Sequence, residues 1–261
     1  MSWLYNQQEI AVYKNGQILS ENDNLVIEMP LTVFVNGKEI ATLICSPGAS
    51  LELGTGFLIN EGWLQSPDQV KEVKADEEKG MFWLESHGPL SPDPDPHGRY
   101  LSESDDQSKA VPYLNKDARQ IKPVNSAARF KASHLLRLVE LLEKESKTFQ
   151  LTGGVHSAAL GDDQGLITRY EDIGRHNAVD KVIGYAFLNR IPLHDKVLVL
   201  SGRVATEILV KVARNGIPLL LSRSAAMYLA VQLAQQWNVC VVGFTRNQRF
   251  NIYSHRERII V

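Results

Sequence analysis

Only two cysteines, Cys45 and Cys240, occur in the 261-residue chain, and no Cys-x-x-Cys is present. That scarcity excludes a disulfide framework and a cysteine-based zinc site. Neither Gly-x-x-x-x-Gly-Lys-Ser/Thr nor Gly-x-Gly-x-x-Gly is found, so an ordinary NTPase phosphate loop and a dinucleotide-dehydrogenase turn are both unsupported. There is no excess of one charge: 28 Lys and Arg stand against 30 Asp and Glu, a formal net charge of −2. Bulk electrostatic binding to nucleic acid or to an acidic membrane is therefore not expected, and any anion site has to be local. No uncharged run approaches the length of a spanning helix. The opening "MSWLYNQQEIAVYKNGQ" shows no basic leader followed by an apolar run, which predicts a cytoplasmic protein with no membrane partner.

What is present is apolar enough for a substantial core, at 44% hydrophobic residues. Two Asn-Gly pairs, in "EIAVYKNGQIL" and "LTVFVNGKEIATLIC", lie between β-branched segments and predict two hairpins. Ser50 is a candidate cap for a helix through "SLELGTGFLINEGWL", and "VKEVKADEEKGMFWLES" reads as a further strand pair. Residues 1–86 thus form a β-rich part with one helix. From His87 to about Ala128 the chain alternates Pro with Asp and turns polar, a loop or linker that is either functional or disordered.

Residues 129–261 open on "SHLLRLVELLEKESK", a helix with Ser133 as its candidate cap, followed by an extended hairpin region through "TGGVHSAALGDDQGLITRYEDIG". An amphipathic helix from about His176 to Asn189 follows, then the strand "DKVLVLSG" and a helix from about Val204 to Asn215. The strand "IPLLLSR", a helix from about Ala225 to Trp237 and the strand "NVCVVGF" complete the pattern. This alternation predicts an α/β unit (α+β for the whole chain) with a largely parallel sheet covered on both faces.

Arginine closes each strand-to-helix turn: Gly174-Arg175, Gly202-Arg203, Ser222-Arg223, then Thr245-Arg246 with Arg249. Ligands of open α/β sheets bind beyond the carboxyl ends of the strands, where helix N-termini favour anions. Guanidinium forks beside glycine match phosphate oxygens, so the pattern fits a diphosphate-bearing ligand. The competing reading pairs these arginines with Glu171, Asp172, Asp180 and Glu207. His156, after paired glycines, and His176, at a helix start, could bond a ligand, act as a general base in a nucleotide-metabolite enzyme, or bond a turn carbonyl. Cys45, ending an apolar strand before a helix, is either a nucleophile or sulfur carrier or a small buried hydrophobe. Cys240 reads as core. The zinc-deaminase signature His-x-Glu with Pro-Cys-x-x-Cys is absent, and no metal is expected.

Six stretches, "EMPLTVFVNGKEIATLICSPG", "GFLINEGWL", "TGGVHSAAL", "EDIGRHNAVDKVIG", "SGRVATEILVKVARNGIP" and "VVGFTRNQRFNIYS", together resemble the FdhD/NarQ family of formate dehydrogenase accessory proteins. The resemblance implies a three-layer, cytidine-deaminase-like C-terminal domain without its zinc, and a homodimer. It implies sulfur transfer, as a persulfide from a cysteine desulfurase, to the bis-molybdopterin guanine dinucleotide cofactor before insertion into formate dehydrogenase. It places the cofactor segment on Phe244, Thr245, Arg246, Asn247, Gln248 and Arg249, with a guanine nucleotide end, the GDP moiety, as the ligand. Arg175, His176, Gly202, Arg203, Arg223 and His156 complete the expected cofactor-binding set. The family's sulfur-carrying cysteine pair would fall in "HGRYLSESDDQSK", which has no cysteine. Sulfur transfer therefore requires Cys45, and the alternative is a cofactor-binding chaperone that has lost the chemistry.

Overall fold

The computed structural model describes residues 4–90 and 121–261. Both Asn-Gly pairs turn hairpins: β1 (Tyr5–Lys14) pairs with β2 (Gln17–Val26), and β3 (Met29–Val35) with β4 (Lys38–Cys45). Asn15, Gly16, Asn36 and Gly37 all have positive φ, as a two-residue hairpin turn of this hand demands. β1 and β2 form a separate two-stranded ribbon. β3 and β4 join β5 (Val70–Asp76) and β6 (Met81–Ser86) in a four-stranded sheet of order β4-β3-β6-β5.

Helix α1 (Ser50–Asn60) is shorter than the sequence suggests, and Ser50 does not cap it. The N-cap is Ala49, while the Ser50 hydroxyl donates to Glu77 at 2.8 Å. Of the expected linker, the middle lies outside the described residues. Its last part, from Ile121, is packed: Val124 is buried and its N–H donates to the Trp237 carbonyl. The guanidinium of Arg258, itself buried, donates to the carbonyls of Ser126 and Ala128. After β7 (Phe130–Lys131) comes α2 (Ala132–Glu145), whose N-cap is Lys131, so Ser133 lies in the first turn rather than capping it.

Beyond α3 (Lys147–Thr152), the hairpin β8 (His156–Gly161) and β9 (Leu166–Asp172) leads into α4 (Arg175–Leu188). There follow β10 (Val197–Leu200), α5 (Thr206–Arg214), β11 (Leu219–Ser222) and α6 (Tyr228–Gln236). β12 (Cys240–Arg246) and β13 (Arg249–Ile252) come next, and β14 (Ile259–Ile260) pairs with β7. The large sheet has order β13-β12-β11-β10-β8-β9 and is mixed, not largely parallel. β10, β11 and β12 are mutually parallel, but a hairpin flanks them on each side, so β8 and β13 run against them. β9, antiparallel to β8, points the same way as β10 to β12.

Successive strand residues face opposite layers. Val197, Val199, Leu219, Leu221 and Val242 pack under α2, with Leu135, Leu138 and Leu142. Leu198, Leu200, Leu220 and Val241 pack on the other face with Val179, Val182 and Ile208. The same apolar cluster continues through Leu53 and Leu58 of α1 to Leu31, Val33, Phe82 and Leu84 of the four-stranded sheet. Sandwiched between α1 and the large sheet, α4 buries every residue from Ala178 to Gly184, so its sequence stripe is not the usual one-sided amphipathic pattern. Among the described residues, no helix is long and apolar enough to cross a membrane.

Candidate functional site

β9, β10, β11 and β12 end on one edge of the large sheet, which brings Gly174-Arg175, Gly202-Arg203, Ser222-Arg223 and Arg246 to that edge from four consecutive crossings. The turns are tied together by hydrogen bonds to backbone carbonyls. Arg223 N–H donates to the Leu200 carbonyl at 3.0 Å, Ser222 Oγ to the Gly202 carbonyl at 2.7 Å, and Met227 N–H to the Val204 carbonyl at 3.0 Å.

A cavity covers only part of this edge. It measures about 610 Å³, lies over the ends of β11 to β13 and is lined by Arg223, Phe244, Arg246, Asn247, Arg249 and Asn251. That volume suits a small-molecule ligand. A bulge between Gly243 and Arg246 shapes it. Phe244 adopts φ of +52°, costly for a residue with a Cβ, and is held there by its N–H bond to the Ser224 carbonyl at 2.9 Å. A Cβ at Gly243 would stand 2.9 Å from that same carbonyl oxygen and 3.1 Å from the Tyr253 ring, so the close approach of the two turns depends on glycine. The bulge re-aims the Phe244 ring, which is 36% exposed, onto the edge, with the Arg246 guanidinium 5.8 Å from its centroid.

Thr245 points the other way and is buried, its hydroxyl without a hydrogen-bond partner among the described residues. Asn247 and Gln248, both with positive φ, form the tight turn into β13. Gln248 reaches Glu140 at 3.1 Å, and Arg249 reaches Asn251 at 3.3 Å. The sequence pattern assigns no element after the strand that ends at Phe244. β13 carries no hairpin signal in the sequence because the Asn-Gln turn has no glycine, and Asn251 follows from Arg249 by period-two alternation on the same face. The sequence pattern also misses Glu143 of α2, whose carboxylate accepts from Arg223 Nε.

Arg175, His176, Gly202, Arg203 and His156 are not among the cavity's lining residues. His156, Arg175 and Gly202 are clustered: a Cβ on Gly202 would stand 3.5 Å from His156 Nδ1 and 3.6 Å from Arg175 Cδ. His176 Nε2 is 3.3 Å from Glu207, and this hydrogen bond, aided by the charges of His176, Arg175 and Lys211, holds the Glu207 carboxyl below the usual range. Arg203 is exposed. The acids that could have neutralised the edge are mostly engaged elsewhere: Asp172 with Lys181, Asp180 with Lys211, and Glu171 with the Thr148 and Phe149 N–H groups that start α3.

Cys45, at the end of β4, is 1% exposed, and its thiol donates to the Met29 carbonyl at 3.6 Å. Burial, reinforced by the nearby Asp172 charge, pushes the thiol up to about 12. Cys240 is buried and is likewise pushed up to about 12 by burial. Neither is a thiolate at neutral pH in this conformation.

Known proteins resemble the chain over almost its whole length. A sulfur carrier protein FdhD of Bacillus pumilus is 40% identical over 251 residues, covering 96% of this chain and 95% of the relative. Its namesake in Geobacillus kaustophilus is 38% identical over 256 residues, 98% of this chain and 97% of that one. A crystal structure from Desulfotalea psychrophila, assigned as a formate dehydrogenase accessory protein, superposes with a TM-score of 0.85 at 23% identity, covering 98% of this chain and 100% of that one. The match to the FdhD/NarQ family model runs from residue 26 to residue 260, taking in both sheets, the arginine edge and the cavity over β11 to β13, and the chain therefore belongs to the FdhD/NarQ family.

Proposed function

We propose that this protein is an accessory factor in formate dehydrogenase maturation that binds the guanine nucleotide end of a molybdopterin guanine dinucleotide in the cavity over β11 to β13. The observation that carries the reading is the meeting of Arg223, Arg246 and Arg249 with an exposed Phe244 ring in one cavity. Phosphate oxygens take the guanidinium forks, and the ring offers a face for the base. His156, Arg175, His176, Gly202 and Arg203, farther along the edge, are read as contacts for the rest of this large substrate. On the same reading the client is a formate dehydrogenase, the working unit is a homodimer, and the C-terminal layers are of the cytidine-deaminase type.

GDP is the simplest probe. Calorimetric titration should show binding by the wild type and a roughly 10- to 100-fold loss in Arg246→Ala or Arg249→Ala, the worth of one charge-assisted hydrogen bond to phosphate. Equal affinity in wild type and both variants would remove the cavity from the function.

The binding reading is favoured over sulfur carriage, although the relatives are named sulfur carriers. Carriage needs a cysteine thiolate to take a sulfur atom from the persulfide of a cysteine desulfurase, releasing the desulfurase thiolate. Only Cys45 and Cys240 are available, and both are buried and protonated. Incubation of the native protein with a cysteine desulfurase and cysteine is therefore expected to leave the intact mass unchanged, whereas iodoacetamide in denaturant labels both thiols. A 32 Da sulfur adduct mapped to Cys45 would restore the sulfurtransferase reading, since about 32 Da is the increment of one sulfur atom added to a thiol.

A further inference from the structure

The rim of the cavity carries a feature that a simple phosphate pocket would lack. α2 packs across one face of the large sheet with its carboxyl end at the arginine edge, and the last turns bear Glu140, Glu143 and Glu145. The partial negative charge of the helix end adds to these carboxylates. Glu140 holds Gln248 in the β12–β13 turn, Glu145 pairs with Arg169, and Glu143 pairs with Arg223, itself a lining residue of the cavity. The Arg223–Glu143 pair is half in solvent, at 36% and 52% side-chain exposure, so it is cheap to open.

We propose that Glu143 is a specificity-determining residue that competes with the ligand's phosphate for Arg223, an inference that rests on the cavity being the nucleotide site. With the carboxylate in place, an incoming anion has to displace Glu143 from Arg223 and then tolerate it nearby. A ligand with a single weak anionic group gains little from that exchange, while a diphosphate, which also engages Arg246 and Arg249, overcomes it. The pocket thereby rejects small cellular anions without excluding the nucleotide. The device uses residues from two layers, α2 and the β11 turn, that approach each other only in the folded chain.

The test is GDP titration of Glu143→Gln beside Glu145→Gln. Both variants remove one negative charge from the same helix end, but only the first frees Arg223. Glu143→Gln is expected to bind GDP about three- to tenfold more tightly than the wild type, while Glu145→Gln stays within about twofold. Thermal melts check that both stay folded. Unchanged or weaker binding by Glu143→Gln, or equal tightening in both variants, overturns the assignment of Glu143 while leaving the cavity intact. If Arg246→Ala and Arg249→Ala both bind GDP as the wild type does, the cavity reading itself has failed and Glu143 falls with it.

Discussion

Lys181→Met is expected to cost about 3–5 kcal/mol of folding free energy, the penalty for leaving one member of a buried ion pair without its partner. Lys181 and Asp172 are 1% and 0% exposed, with Nζ 2.7 Å from Oδ2. Asp172 also accepts from the N–H groups of Ser46 and Gly174 and from the Asn177 amide. Lys181 in turn donates to the Ser46 carbonyl, and the Ser46 hydroxyl accepts from Ile173 N–H. One carboxylate thus fastens the end of β4 to the end of β9 and sets the turn that presents Gly174 and Arg175 at the edge. Removing the ammonium strands the carboxylate in a medium where its solvation cannot be replaced. For a chain of this size the melting temperature should fall by on the order of 10 °C. Asp172→Asn in the Lys181→Met background should recover part of the loss, because the amide leaves no net charge to compensate. A single variant within about 1 kcal/mol of wild type in urea denaturation, or a double variant in which the losses simply add, would show that the pair does not hold the two segments together.

This pair marks where sequence reading stops. The hairpins at Asn15-Gly16 and Asn36-Gly37 were legible because the signal is local: both turn residues must tolerate positive φ. The arginine edge was legible because alternating strands and helices fix which end of each strand a turn occupies. Lys181 carried no such signal. A lysine inside "NAVDKVIG" looks like the solvent side of a helix, and only the cover supplied by α1, more than a hundred residues upstream, makes it interior. The partners of two competing acids were hidden for the same reason: Asp172 and Asp180 pair with lysines on α4 and α5. Ser50 and Ser133 failed as caps because each helix starts earlier, with Ala49 and Lys131 in the capping positions, and the Ser50 hydroxyl is drawn to Glu77.

Gly184→Ala should destabilise the protein by about 3 kcal/mol, against the usual sign for this substitution. In an exposed helix interior, alanine is favoured over glycine by about 1 kcal/mol because glycine pays more backbone entropy. Here α4 crosses α1 backbone to backbone. A Cβ at Gly184 would lie 1.9 Å from the Glu52 carbonyl oxygen, and one at Gly56 would lie 1.8 Å from the Asp180 carbonyl oxygen. To restore ordinary contact the helices have to separate by about 1.5 Å, which opens the close-packed layer between the two sheets. The two glycines meet each other's helix, so Gly56→Ala should cost a similar amount. The double variant should cost less than the two losses added, because the first substitution already forces the separation that the second requires. The polar link across the same junction, Asn60 to Asp180 at 2.6 Å, is strained by any such shift, as is the bond from Asn215, at the end of α5, to Asn60 at 2.8 Å. Urea denaturation of the two single variants and the double decides the point. A melting temperature at or above wild type for either single variant would mean that α1 and α4 do not approach as closely as the fold requires. Strict additivity in the double would mean that the two contacts are independent rather than one crossing.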